Sequence, residues 1–409
     1  MKILVLGAGY SQLNAIRRLK QLGHLVVVSD YYENPPAKAV ADFHEPVSTF
    51  DVAANIAVAR KHGVDALMTL GTDQPVYTAA RVAQELGLPS LLDVVTAKAV
   101  TNKRLMKYCF VENNLPTVNF RLVTENFRDE ELAGLTFPLV VKPLDSQGQR
   151  GVYKLDSVAA IRQVIGEVLS YSREAEILVE EYYSSDEITV SGWVVDGRVY
   201  LISVVDRISQ QNFPHIGICV RHRFPSQYQA EYLDQIQALS RKIARSFNIS
   251  NGPIYFQMLI GDQGLKINEI ACRLGGAYED EYLLEATGID ILGMLLDTSQ
   301  GRSVDEAALQ RYDISQITKA ISVELFFARP GQVGSLSDMD ALKRLPGVIQ
   351  ANHHLEIGSM VRPAENATAR AGFVIVAGQN EAELAINLER VYRELGIYDP
   401  AGNNMVMRF

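Results

Sequence analysis

The first 95 residues confine the chain most tightly, because short apolar runs alternate there with segments of helical period. Ile3 to Leu6, Leu25 to Ser29 and Ala66 to Leu70 read as strands. Ser11 to Leu22 and the stretch from Val52 to His62 carry the spacing of helices that bury one face. Strands joined through such helices run parallel, and a parallel sheet needs helices on both faces. A doubly wound, Rossmann-like domain is therefore expected over about 1–95.

From Thr96 to Pro138 the texture changes. A lysine-bearing helix (Lys98 to Asn113), Pro116 and a short strand at Phe120 to Val123 read as a passage into a second domain. Strands dominate from Phe137 onward: Leu139 to Lys142, Val152 to Lys154, Ile177 to Glu181, Ile188 to Val195, Arg198 to Val205, Ile254 to Ile260 and Leu265 to Ile270. Asp196-Gly197 and Gly261-Asp262-Gln263-Gly264 have the composition of hairpin turns. Helical patterns at Ser157 to Tyr171 and Gln227 to Phe247 pack on this sheet, giving an α+β body. After Arg329-Pro330-Gly331 a smaller unit follows, with strands near Val348 to His354 and Ala371 to Gly378 and a helix from Glu381 to Leu395. The expected division is 1–95, 96–330 and 331–409.

Charge and cysteine usage narrow the function. A net charge of −9, without a long Lys/Arg run, argues against nucleic-acid partners and for small molecules. Cys109, Cys219 and Cys272 form neither a disulfide framework nor a zinc set, which suits a reducing cytoplasm. The apolar start of the chain is too brief for a leader, and no segment reaches the ~18 apolar residues of a membrane span.

The hairpin turn at 261–264 places Gln257 beside Glu269, twelve residues later. An amide oxygen and a carboxylate on neighbouring strands suit Mg²⁺, a hard cation usually held by one or two protein groups plus substrate phosphates. Arg273 follows, able to grip a carboxylate or phosphoryl group. Lys142 ends a strand and leads into Asp145-Ser146-Gln147-Gly148-Gln149-Arg150-Gly151, a small polar loop whose backbone amides could fold over phosphates. No P-loop is present. Glu180-Glu181-Tyr182-Tyr183 ends another strand, where backbone groups could meet an adenine edge, and Glu187 beyond it could accept ribose hydroxyls. Each feature alone also fits a surface turn or a solvated strand end. Gly7-Ala8-Gly9-Tyr10-Ser11-Gln12, with Asp30 closing the second strand, outlines a dinucleotide fingerprint that lacks its third glycine. Closure of the turn or contact with an acceptor substrate fits it better than NAD.

Taken together, Lys103, Val140-Val141-Lys142-Pro143 with its loop, Glu180-Glu181-Tyr182 with Glu187, and Gln257 with Asn268-Glu269 and Arg273 resemble the ATP-grasp superfamily in order and spacing, over about residues 1–395. The resemblance implies mixed α/β and α+β architecture: an N-terminal Rossmann-like pre-ATP-grasp domain, a central lid (about 115–185) and an antiparallel-sheet body (about 186–330), with ATP between the latter two. It implies phosphate contacts from Lys103, Lys142 and the loop residues Ser146, Gln147, Gly148 and Gly151. Adenine contacts would come from Glu180, Glu181, Tyr182 and Tyr183, and ribose contacts from Glu187. Mg²⁺, or Mn²⁺ in its place, would sit on Gln257 and Glu269. Arg273 and Lys142 would be the catalytic cations. The family's usual Glu-x-Asn-x-Arg ending reads Glu269-Ile270-Ala271-Cys272-Arg273, so Ala271 supplies no ligand for a second metal ion.

The implied reaction converts a small carboxylate to an acyl phosphate and joins it to an amine, with a homodimer as the expected assembly. Glycinamide-ribonucleotide-type and carbamoyl-phosphate-type chemistries are the alternatives within the superfamily. An NAD-dependent oxidoreductase and a non-catalytic ATP sensor are the alternatives outside it. For the substrate pocket, the candidates are a basic cluster running from Asp206-Arg207 through His215 to Arg221, His222 and Arg223, and the run Gly275-Gly276-Ala277-Tyr278-Glu279-Asp280, whose acidic pair could face an ammonium group. His353 and His354 are adjacent on a strand, hence on opposite faces, and share no metal.

Overall fold

A computed structural model of the protein describes residues 1–212 and 215–409. The strands Phe43–Glu45, Leu25–Ser29, Lys2–Leu6 and Ala66–Met68 lie side by side in that order and run parallel. The helices Tyr10–Gln21 and Val52–His62 make the crossovers. Phe43–Glu45 carries too short a run to register as a strand in the sequence, and its backbone joins the sheet edge beside Leu25–Ser29. One expectation fails at 98–113. Two helices, Val94–Ala99 and Lys103–Glu112, stand in place of one. The Asn102 side chain accepts from the N–H groups of Arg104 and Leu105 and starts a new helix there.

Among the described residues the large sheet has thirteen strands. Phe120–Thr124, Glu176–Glu181, Leu139–Pro143 and Tyr153–Leu155 form one antiparallel group, with the helix Val158–Ser170 against it. Gly264–Ala271, Gly252–Gly261, Ser185–Val195, Arg198–Asn212 and His215–Phe224 form the next. Among the described residues one pair, His215 with Tyr153, joins the two groups. The first group has its own core, containing Val123, Leu139, Val141, Ile161, Ile165, Ile177 and Val179. The sheet then continues through Ala320–Ala328 into Gly372–Gly378 and Val348–His353, so hydrogen bonding runs unbroken from the body into the terminal unit.

The N-terminal sheet is welded to the rest through one apolar cluster. It unites Ile3, Val5 and Ile16 with Leu274, Tyr278, Tyr282 and Leu295, and with Ile321 and Phe373. No helix among the described residues is long and apolar enough to cross a membrane.

Candidate active site

The hairpin expected from composition forms in the expected register. Gly261 and Gly264 close it, and Gln257 lies directly opposite Glu269. The Lys103 ammonium stands 3.6 Å from Glu269 and donates to the Ser146 carbonyl at 3.0 Å, linking the strand that carries Glu269 to the glycine loop. Lys142 comes in from the other side, donating to Asn268 Oδ1 at 3.0 Å and pairing with Glu180 at 2.7 Å.

These side chains share a cleft of about 320 Å³ between the two strand groups. Lys142, Glu180 to Tyr183, Glu187, Gln257 and Glu269 line it, and Val118, Val140, Val152, Ile216 and Leu259 supply apolar walls. A narrower recess continues from Gln257 and Glu269 to Lys103, Ser146, Tyr255 and Arg273. Among the described residues no three His, Cys, Asp or Glu side chains converge as a metal cage. Two oxygen donors beside three cations instead suit a metal ion that arrives with phosphate oxygens.

Residues 135–280 match the ATP-grasp domain, and residues 324–398 match the L-amino acid ligase C-terminal domain 2. The chain carries an ATP-grasp domain, and its relatives are ATP-grasp ligases. Dapdiamide A synthase of Enterobacter agglomerans is 23% identical over 321 residues, which cover 73% of each chain. The L-amino acid ligase of Bacillus licheniformis has the same fold, with a TM-score of 0.81 at 19% identity over 97% of this chain and 98% of that one. The biotin carboxylase domain of the Hydrogenobacter thermophilus 2-oxoglutarate carboxylase, solved with MgADP and bicarbonate, gives a TM-score of 0.75 at 17% identity over 97% and 90%.

In this ATP-grasp chain several expected residues have partners that the sequence did not announce. Glu180, expected at the adenine edge, has one carboxylate oxygen on Lys142 and the other on Lys107. Burial pushes its carboxyl up, but the two ammonium groups outweigh burial and hold it at about 2. Glu181 accepts from Asn119 and from the Thr136 N–H. The Tyr182 ring lies under the Lys154 ammonium. The Tyr183 hydroxyl is spent on the hairpin turn, donating to the Gly264 carbonyl and accepting from the Gln263 N–H. Glu187 accepts from Arg207 at 2.6 Å.

Arg273 is buried against the Tyr255 ring and grips Asp73 of the N-terminal domain, at 2.8 Å through Nε and 2.6 Å through its terminal nitrogen. Burial opposes its charge, yet Asp73 holds its pKa above the ordinary value. The glycine loop is pinned at two points. The Asp73 N–H donates to Gln147 Oε1 at 2.8 Å, and the Ala367 N–H donates to the Gly148 carbonyl at 3.1 Å. Gly148 and Gly151 take positive φ, which lets the loop turn back over the strand end. Among the described residues the buried Ser146 hydroxyl has no hydrogen-bond partner.

The expected basic cluster comes apart. Arg207 pairs with Glu187, Arg221 with Glu324 and Arg223 with Glu381. His222 points to the opposite face of its strand from Arg221 and Arg223, buried and held neutral by burial and by the nearby Arg207 and Arg370. Phe213 and Pro214, which the cluster spanned, lie outside the described residues. The acidic run is likewise occupied: Glu279 accepts from the Gly275 N–H and from Ser191, and Asp280 accepts from Asn14. His353 and His354 do face opposite ways, His353 toward Ser337 and His354 between Tyr10 and Tyr278.

The glycine turn of the N-terminal domain is filled from within. Gln12 accepts from the Gly9 N–H and donates to the Leu70 carbonyl, while Asp30 accepts from the Ala8 N–H. A Cβ at Gly7 would meet the Gln12 amide at 3.0 Å.

Sequence reasoning missed Asp73 and Lys107. Asp73 follows the strand Ala66–Met68, outside the carboxyl end of a parallel sheet where ligand sites gather. That position was a usable signal. Lys107 had none, since one lysine on a helix looks like any other.

Proposed function

We propose that the protein phosphorylates a small carboxylate with the γ-phosphoryl group of ATP and joins the product to an amine, releasing ADP and phosphate and leaving an amide or peptide bond. The observation that carries this reading is the convergence of Gln257, Glu269, Lys103, Lys142 and Arg273 on one continuous cleft and recess. The matches to an L-amino acid ligase C-terminal domain and to dapdiamide A synthase support free amino acids as substrates.

The apolar walls Val118, Val140 and Leu259 fit the two faces of a purine, whose edge would meet the backbone of Glu181 to Tyr183. Glu187 would take the ribose hydroxyls, loosening its hold on Arg207. Gln257 and Glu269 would hold Mg²⁺, or Mn²⁺ in its place, which when bound neutralises charge on the phosphates. Lys103 and Lys142 flank the transferring phosphoryl group, and the Ser146 to Gly151 loop covers it and keeps water from the acyl phosphate. The carboxylate oxygen attacks the γ-phosphorus and ADP leaves. The amine nitrogen then attacks the acyl carbon, loses a proton, and phosphate leaves. Arg273, at the inner end of the recess, is placed to stabilise the charge that develops on the acyl oxygen.

We place the enzyme in the cytoplasm, where three free cysteines persist, and as a homodimer, which sedimentation velocity reads directly. The catalytic test is ADP release from Mg-ATP over a matrix of amino-acid pairs, with hydroxylamine as a trap for acyl phosphate. Release that needs a carboxylate, with hydroxamate forming in its presence, is the expected result. Binding of ATP without hydroxamate from any acid overturns the ligase reading in favour of a sensor.

A further inference from the structure

We propose that Lys107 is a positioning residue for nucleotide binding: it supplies the counter-charge that lets Glu180 hold Lys142 in place without cancelling the positive charge that Lys142 presents to the phosphates. This rests on the nucleotide reading of the cleft.

Lys107 is among the most deeply buried charged groups of the chain, 2% exposed, on the inner face of the helix Lys103–Glu112. Its ammonium pairs with one oxygen of Glu180 and donates to Thr117 Oγ1 at 2.7 Å, and the Thr117 hydroxyl donates to the Ile267 carbonyl at 3.1 Å. The other Glu180 oxygen holds Lys142, which also donates to Asn268. An unbroken polar chain thus runs from Ile267 through Thr117, Lys107, Glu180 and Lys142 to Asn268, starting and ending on the strand that carries Glu269. Lys142 lines the cleft, whereas Lys107 is not among the residues that line it.

The charge count decides what such a chain can do. Two ammonium groups and one carboxylate leave one net positive charge facing the phosphates. Without Lys107, Glu180 and Lys142 would form a neutral pair, and a neutral pair attracts a polyanion only weakly. Without Glu180, Lys142 would have its charge but only Asn268 to aim it. Burying three ionised groups is costly compared with an apolar core, so stability alone is a poor reason for the arrangement. Burial and the neighbouring Lys142 pull Lys107 below the ordinary lysine range, and the paired Glu180 carboxylate opposes them.

The test is titration of the full chain with Mg²⁺ and a non-hydrolysable ATP analogue, in the wild type, Lys107→Met, Glu180→Gln and the double variant, with thermal unfolding run alongside. Lys107→Met weakens binding about tenfold or more, and the double variant, again with one net charge, recovers to within about threefold of wild type. A residue that only props up the fold would instead lose affinity additively, so a double variant weaker than Lys107→Met overturns the proposal. So does a folded Lys107→Met that binds as wild type does. Should Lys107→Met fail to fold, Lys107→Gln and Lys107→Arg read the same charge, the first removing it and the second keeping it beside Glu180. About tenfold tighter binding by Lys107→Arg than by Lys107→Gln supports the proposal, and equal affinities refute it. A wild-type chain that does not bind the analogue overturns the nucleotide reading itself.

Discussion

Asp73→Ala separates the N-terminal domain's contribution to the site from its contribution to the fold. Arg273 is 8% exposed at its side chain and meets Asp73 through two nitrogens. After truncation the guanidinium keeps the Leu274 carbonyl at 3.2 Å and the face of Tyr255 at 4.4 Å, but no carboxylate. Removing one partner of a fully buried pair costs about 3–5 kcal/mol. The Asp73 side chain is 27% exposed, so water can enter behind it, and we expect a loss nearer 1–3 kcal/mol. The Gln147 contact survives, because it is made by the backbone N–H of residue 73. The glycine loop should therefore keep its anchor, leaving KM for ATP within about twofold, while kcat falls about tenfold or more as Arg273 loses its aim. Urea unfolding and steady-state ADP release measure the two effects. A stability loss under about 0.5 kcal/mol together with an unchanged kcat would refute the claim that Asp73 orients Arg273.

Glu269→Gln removes the carboxylate of the proposed metal pair and should abolish Mg²⁺-dependent turnover with no change in the circular dichroism spectrum; retained turnover overturns a metal role for Glu269. His354 is pushed down to about 3 by burial, with Arg370 adding to the effect, so between about pH 6.5 and 3 the unfolded chain binds a proton that the folded chain does not. Stability should fall as pH drops through that window. His354→Phe should gain about 1 kcal/mol on the wild type between pH 7.5 and 5.5 in urea unfolding, and a pH-independent difference counts against the assignment. Gly276→Ala puts a Cβ 2.5 Å from the Gly71 carbonyl oxygen, where the Gly71 N–H is already tied to Leu274, and should cost about 1–3 kcal/mol. An unchanged melting temperature would show that the domain seam yields.

The elements were legible where a local signal sets them. Apolar alternation and turn residues placed the parallel N-terminal sheet, the hairpin that sets Gln257 against Glu269, and the strand that carries Lys142. The break between two helices at Asn102 was also written locally, in a capping side chain that the helical period concealed. The basic run 206–223 was only partly legible, because charge in a sequence carries no sign of its partners: Asp206 and Arg207 line the cleft, but each arginine of the run meets a carboxylate. Glu187, Glu324 and Glu381 come from three separate elements to neutralise it.

Period and turn chemistry act over a few residues, so the first strands and helices along the chain, the register of the 257–269 hairpin and the position of the loop could be read from residue types alone. Pairings over long separations obey no such rule. Asp73 meets Arg273 across 200 residues, and Glu180 joins Lys107 to Lys142, only because folding removes water from these groups and a buried charge must find its opposite. Which lysine faces the cleft and which stays behind it was therefore settled by packing: one sits on a strand that lines the cleft, and the other on the inner face of a helix.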